Sequence, residues 1–190
     1  MTGTAVAVRK AAMQDIPRLL ELINSYAGRG IMLPRTEFEI SENIRDFSVA
    51  YDGGELMGCG ALHFYTPVSA EVRSLAVRPE ANGHGIGRAI VESLENEARE
   101  NELEVIFAFT YVPQFFARVG FHETERGELP LKAWKDCLRC PKFHSCDEIA
   151  VLKRLRPASH PVTAFTDIAD KLIPFNNKKF NILSKLINRQ

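Results

Sequence analysis

Apolar and polar residues along the chain repeat in two periods, and the switches between them mark its elements. Ala5 to Lys10 alternates as a first strand. Behind it Ile16, Leu19, Leu20 and Ile23 recur at helical spacing, Asp15 is placed to cap that helix, and Gly28 and Gly30 end it. Thr36-Glu37-Phe38-Glu39 has the spacing of a capping box and opens a second short helix through about Ile44. Between the two lies an apolar loop ending in a cation, Ile31-Met32-Leu33-Pro34-Arg35. Phe47 to Tyr51 and Glu55 to Tyr65, joined by Asp52-Gly53-Gly54, read as an antiparallel hairpin, and Glu71 to Val77 as a further strand. The next helix carries Ile86, Ile90, Leu94 and Ala98 on one stripe, with Glu92, Glu95 and Arg99 on the wet side. Glu104 to Phe109 is a compact apolar strand, and its connection through that helix predicts a parallel neighbour. Pro113 suits the first turn of a short helix closed by Gly120 before Phe121, and Glu148 to Leu155 supplies a last strand. The order is that of an α/β domain.

From Arg156 the character changes. Pro157, Pro161 and Pro174 punctuate a tail in which Lys178, Lys179, Lys185 and Arg189 interleave with Phe180, Ile182, Leu183, Leu186 and Ile187. The reading is a domain over residues 1–156 and a partly helical or flexible appendage over 157–190. The appendage is either a partner-binding helix, with a homo-oligomer among the partners, or a cover for the domain's own surface.

With 190 residues, 45% of them hydrophobic, the chain is long enough for one well-buried core plus an appendage. Its 24 Lys and Arg balance 24 Asp and Glu, so no global positive field exists to recruit nucleic acid or anionic lipid. No apolar run approaches the roughly 20 residues of a spanning helix, and the start of the chain lacks the basic-apolar-small pattern of a signal peptide. The expectation is a soluble, cytoplasmic protein. Four cysteines in a chain of this size do not make a disulfide scaffold.

The chemistry concentrates where the strand Leu75-Ala76-Val77 runs into Asn82-Gly83-His84-Gly85-Ile86-Gly87-Arg88. Glycines at 83, 85 and 87 remove side chains where a backbone must approach a ligand, and the helix that follows turns its unpaired N–H groups towards an anion. Glycine-rich turns are common, so a plain strand-to-helix connection competes with this reading.

The order of elements, with Asn82-Gly83-His84-Gly85-Ile86-Gly87 and Gly120-Phe121, resembles the GCN5-related N-acetyltransferase superfamily over roughly residues 5 to 155. That resemblance implies a mixed sheet with a splayed pair of parallel strands at an acetyl-CoA site and helices on both faces. It places the pyrophosphate on Gly83 to Arg88 and the pantetheine arm along Leu75, Ala76 and Val77. Asn82 stands where Gln or Arg is usual, and Phe116 where many members carry a tyrosine as general acid for the leaving thiolate. Phe116, Gly58 to Leu62 and Glu71 to Val77 resemble the acetyltransferase domain of N-acetylglutamate synthases, the first enzymes of arginine biosynthesis; the segment from Leu129 through Trp134, Cys137 and Cys140 to Phe143 resembles their short, kinase-free bacterial members. The implied co-substrate is acetyl-CoA and the implied acceptor the α-amino group of L-glutamate. A protein N-terminus, a polyamine, or acetyl-CoA sensing without catalysis are the competing readings.

Acetyl transfer to an amine needs a neutral nucleophile, a route for its proton and a donor for the thioester oxygen. A backbone N–H near Leu75 and Ala76 is the candidate donor, and Glu71 the candidate base acting through water, against a rim carboxylate paired with Arg73. Ser74 binds substrate, orients that water, or packs. An acidic amino acid needs cations: Arg35, in the loop with Leu33, then Lys135 and Arg73, the last placed by strand alternation on the face opposite Ser74. His84 and Arg88 either touch phosphates or are solvated. Cys137, Cys140 and Cys146 with His144 have the residue types of a zinc site but unconvincing spacing; a thiol cluster and plain packing compete, and no metal is assigned.

Overall fold

The computed structural model describes residues 6–126, 129 and 140–157. Lys135, Cys137 and the appendage from 158 onward lie outside the described residues. In chain order the elements are β1 (Ala7–Lys10), α1 (Ile16–Ala27), α2 (Glu37–Glu42), β2 (Phe47–Asp52), β3 (Glu55–Thr66), β4 (Ser69–Val77), α3 (Ile86–Glu100), β5 (Val105–Thr110), α4 (Pro113–Arg118), β6 (His122–Glu123) and β7 (Ile149–Arg154). The strands form one seven-stranded sheet in the order β1-β2-β3-β4-β5-β7-β6. Among the described strands only β4 and β5 run parallel, and they are joined by a crossover through α3.

The hairpin forms because Gly53 (φ 56°) and Gly54 (φ 83°) both supply the positive φ of a two-residue primed turn, which sets the register Asp52↔Glu55. On β3 successive residues then serve opposite layers. Gly58, Gly60 and Leu62 face α3, whereas Cys59 and Ala61 face α1 and α2. The two glycines are what lets α3 close on the sheet: a Cβ at Gly58 would lie 2.9 Å from Ile90 Cδ1, and one at Gly60 2.9 Å from Ile90 Cγ2. The α3 stripe of Ile86, Ile90, Leu94 and Ala98 is buried there as expected, with Val91 added, and α4 packs into the same core through Phe116. On the other face Ile16, Leu19, Leu22 and Ile23 of α1 meet Ile40 of α2 over Phe47, Val49 and Ala61. Each fully buried Ile or Leu contributes about 1.5–3 kcal/mol, so both helix layers are held by the sheet rather than by helix propensity.

Three local expectations are corrected. Asp15 does not cap α1, since its backbone is already helical and its side chain makes no cap bond. The buried carboxylate turns back instead, accepting from the Ala12 N–H at 2.7 Å, from the Arg9 guanidinium at 2.7 and 2.9 Å and from the Tyr51 hydroxyl at 2.8 Å. It thereby clips β1 and β2 to the start of α1. Glu95 is not on the wet side: Lys153 of β7 reaches it at 2.5 Å and Arg99 at 2.7 Å. Burial pushes its carboxyl up, but those two cations outweigh burial and hold it below the ordinary value. Leu20, finally, is only half-buried, and Leu22 takes its place in the core.

Candidate active site

The sheet opens at its centre. β4 pairs with β5 only over Ser69↔Val105, Ala70↔Ile106 and Glu71↔Phe107. Beyond that rung β4 stays with β3 as far as Val77, and β5 stays with β7 as far as Thr110. A slot therefore opens between two strands that are each anchored on their other side.

A bulge deforms β4 along this slot. Cys59 pairs with Ala76 and Ala61 with Arg73, so Ser74 and Leu75 together oppose Gly60. Ser74 sits at φ 52°, a left-handed conformation that is uncommon for a residue with a Cβ. The bulge resets the side-chain phase, and Val72, Leu75 and Val77 all pack towards α3. Strict alternation across positions 73 to 75, which set Arg73 against Ser74, accordingly fails. Past the bulge the Arg78 N–H donates to the Met57 carbonyl at 2.8 Å, so the backbone groups of Val77 point away from β3, to the slot side. The Tyr26 hydroxyl of α1 donates to the Val77 carbonyl at 2.5 Å.

The slot leads to the glycine turn. Gly83 (φ 82°) and Gly85 (φ 81°) are left-handed with open space where their side chains would be, and Asn82, His84 and Arg88 are exposed around them. Gly85 is the N-cap of α3, and among the described residues no side chain caps that helix. Its first N–H groups and positive dipole end thus face the turn. Ile86 anchors the turn in the core. Gly87 also makes room for α4, since a Cβ there would lie 3.3 Å from the Phe115 ring. Arg88 likewise bridges to α4, donating to the Arg118 carbonyl at 3.0 Å.

On the α1/α2 face beside the slot, a polar group gathers that the sequence named only in part. Glu71 is 1% exposed, and the Tyr65 hydroxyl donates to it at 3.1 Å. Its cross-strand neighbour is His63, whose Nδ1 lies 2.6 Å from Oδ2 of Asp46, in the turn after α2. Arg73 approaches the same Asp46 oxygen at 3.5 Å and the Asn43 Oδ1 at 3.5 Å. The loop bearing Leu33 and Arg35, both half-buried, is fixed through its backbone: the Asn24 side chain accepts from the Arg35 N–H and donates to its carbonyl, each at 2.9 Å. His63, Asp46, Tyr65 and Tyr26 were missed. His63 and Tyr65 follow Ala61 at period two on a strand whose Ala61 faces this layer, which was the available signal.

Phe116 lies in the core, edge-on to Phe115 and Phe121 at 5.3 and 5.1 Å between centroids, so α4 offers no hydroxyl there. Cys140 and Cys146 are half-buried free thiols, and Cys137 lies outside the described residues. Among the described residues no three His, Cys, Asp or Glu side chains converge as metal ligands. A recess at the β1 edge of the sheet is lined by Arg9, Asp15, Arg18 and Tyr51, which contact one another through an ion pair and cation–ring contacts.

The model of the acetyltransferase (GNAT) family matches residues 16–127. An uncharacterized N-acetyltransferase of Chlorobaculum tepidum is 43% identical over 155 residues, covering 82% of this chain and all of that protein. An amino-acid acetyltransferase of Mycobacterium tuberculosis is 40% identical over 121 residues, covering 62% of this chain and 69% of that protein. Among solved structures, N-acetylglutamate synthase of Neisseria gonorrhoeae, complexed with coenzyme A and N-acetyl-glutamate, superposes with a TM-score of 0.73 at 28% identity. That match covers 82% of this chain and 36% of the synthase.

Proposed function

The chain belongs to the acetyltransferase (GNAT) family, as an acetyl-CoA-dependent enzyme close to the amino-acid acetyltransferases, and we propose that its acceptor is the α-amino group of L-glutamate. With that acceptor the reaction is the first step of arginine biosynthesis, carried out in the cytoplasm. The observation that supports the reading most is the slot between β4 and β5, which runs from the buried Glu71 at its foot past the Ser74 bulge to the glycine turn at the N-terminus of α3.

The donor binds as an added strand. Its pyrophosphate sits on the turn of Gly83 and Gly85 and on the first N–H groups of α3, while the pantetheine amides run along Leu75 to Val77. Because Tyr26 already holds the Val77 carbonyl, the Val77 N–H is the strand's donor to that arm. The amide that follows the bulge, at Leu75 or Ala76, meets the thioester oxygen as negative charge develops.

The acceptor lies on the α1/α2 face. Arg35 takes the side-chain carboxylate, with the Leu33 side chain against the substrate's methylenes. Arg73, braced by Asn43 and Asp46, takes the other carboxylate, its charge partly balanced by Asp46. Glu71, close under the reacting carbon, accepts the proton of the attacking nitrogen through a water that Ser74 orients. Thiol release measured with acetyl-CoA against each free amino acid, a polyamine and an N-terminal peptide tests the acceptor. Glutamate is expected to give the highest kcat/KM, and a clear preference for another amine would overturn the assignment.

A further inference from the structure

We infer that His63, held by Asp46, is the base that strips the acceptor's ammonium group before attack and hands that proton to solvent. The inference rests on the acetyl-transfer reading above and extends it to a second proton.

The reaction's balance requires such a group. An ammonium nitrogen attacks only as a free amine. When the N–C bond forms and the C–S bond breaks, the bonding pair leaves on sulfur, and the nitrogen has lost two protons in all. One neutralises the thiolate. The other must reach water. Glu71, at 1% exposure beneath the Tyr65 hydroxyl, is suited to exchange within the closed site and badly placed to unload outside it.

His63 has the complementary placement. It stands directly across from Glu71 in the β3–β4 register, at the level where β4 parts from β5. Its side chain and that of Asp46 are 21% and 20% exposed, so solvent is within reach. Asp46 accepts, so the Nδ1 that lies 2.6 Å from it carries the hydrogen, and the lone pair is on Nε2. The Tyr65 ring packs against the imidazole nearly at right angles, 5.1 Å between centroids. Among the described residues, the charged groups around it are Asp46 from the turn after α2 and Glu71 and Arg73 from β4, with the uncharged Tyr65 phenol on its own strand. Asp46 faces the imidazole at 2.6 Å, and Arg73 lies 3.5 Å from the same carboxylate oxygen. Asp46 is a positioning residue in this scheme, because it acts only through His63.

The test compares wild type with His63→Gln and Asp46→Asn across pH. At neutral pH, kcat/KM for the acceptor falls by about 100-fold in His63→Gln and by about 10-fold in Asp46→Asn, while acetyl-CoA affinity by calorimetry stays within about 2-fold, showing that the donor site is folded. As pH rises to where the acceptor is already a free amine, both deficits shrink towards unity. Added imidazole restores part of the activity of His63→Ala. An equal deficit at every pH with no imidazole rescue, or no deficit at all, overturns the role of His63. Should wild type acetylate the polyamine or peptide and not glutamate, the acceptor assignment fails while the same comparison is made on that amine. A wild type that releases no thiol with any amine overturns both.

Discussion

Glu71 and Phe107 form the last paired rung between the two parallel strands. Above it each strand keeps its outer neighbour and loses its inner one, so the gap is a slot inside the sheet rather than a frayed edge. Inner backbone groups facing such a slot are costly unless something pairs with them, and an extended, amide-bearing ligand does so. The buried carboxylate at the foot of the slot and the bulge at Ser74 along its wall are therefore parts of one device.

Gly85 and Gly60 separate ligand binding from packing. Alanine at Gly85 meets no atom within 4 Å but must adopt φ 81°, at a cost of about 1–2 kcal/mol, and the turn relaxes away from its phosphate geometry. Acetyl-CoA Kd by calorimetry should rise about 10-fold. Alanine at Gly60 puts a Cβ 2.9 Å from Ile90, which should lower unfolding free energy in urea by about 1–3 kcal/mol with the Kd of the folded protein unchanged.

Arg35→Ala removes a guanidinium whose backbone is independently clamped by Asn24. The glutamate KM should rise about 10- to 100-fold, as for loss of a charge-assisted pair, and the acetyl-CoA Kd should stay within about 2-fold. If both rise together, the residue supports the fold and not the substrate.

Much of this was legible in the sequence because local rules and the global fold agree there. The two-glycine hairpin turn, the Thr36 capping box, the α3 stripe and the parallel crossover all follow from short-range pattern. The slot, the turn and Phe116 were reachable through the order of elements. What was hidden depends on contacts distant in sequence. Asp15 prefers Arg9, Ala12 and Tyr51 to its own helix, and Asp46 meets His63 across 17 residues. The phase reset at Ser74 was hidden for a different reason, since one extra residue in a strand leaves no mark in an apolar pattern.

The Asp15 carboxyl is held well below the usual carboxylate range, first by the Arg9 guanidinium and, against burial, by the Ala12 N–H and Tyr51 hydroxyl. A depressed native value means the unfolded chain binds the proton first as pH falls. Its stabilisation is therefore complete above about pH 4–5 and is lost on acidification towards the native value. Asp15→Asn should cost about 1–2 kcal/mol at pH 7, the lower figures reflecting solvent screening of the half-exposed Arg9, and the gap from wild type should narrow steadily as pH falls below about 4. Urea titrations at fixed pH values read this directly; a gap independent of pH would contradict it.

Burial pushes the Cys59 thiol up to about 12. In the native protein at pH 8 it should resist a maleimide while the half-buried Cys140 and Cys146 react, and its labelling should track global unfolding. Mass mapping of labelled peptides distinguishes the three sites.

The most direct measurement is the mass of the product formed when purified protein is given carbon-13-labelled acetyl-CoA and an equimolar mixture of amino acids. The expected result is N-acetyl-L-glutamate carrying the labelled acetyl group as the dominant product, formed in step with free coenzyme A. Label on a different amine, or coenzyme A release with no acetylated amino acid, would contradict it.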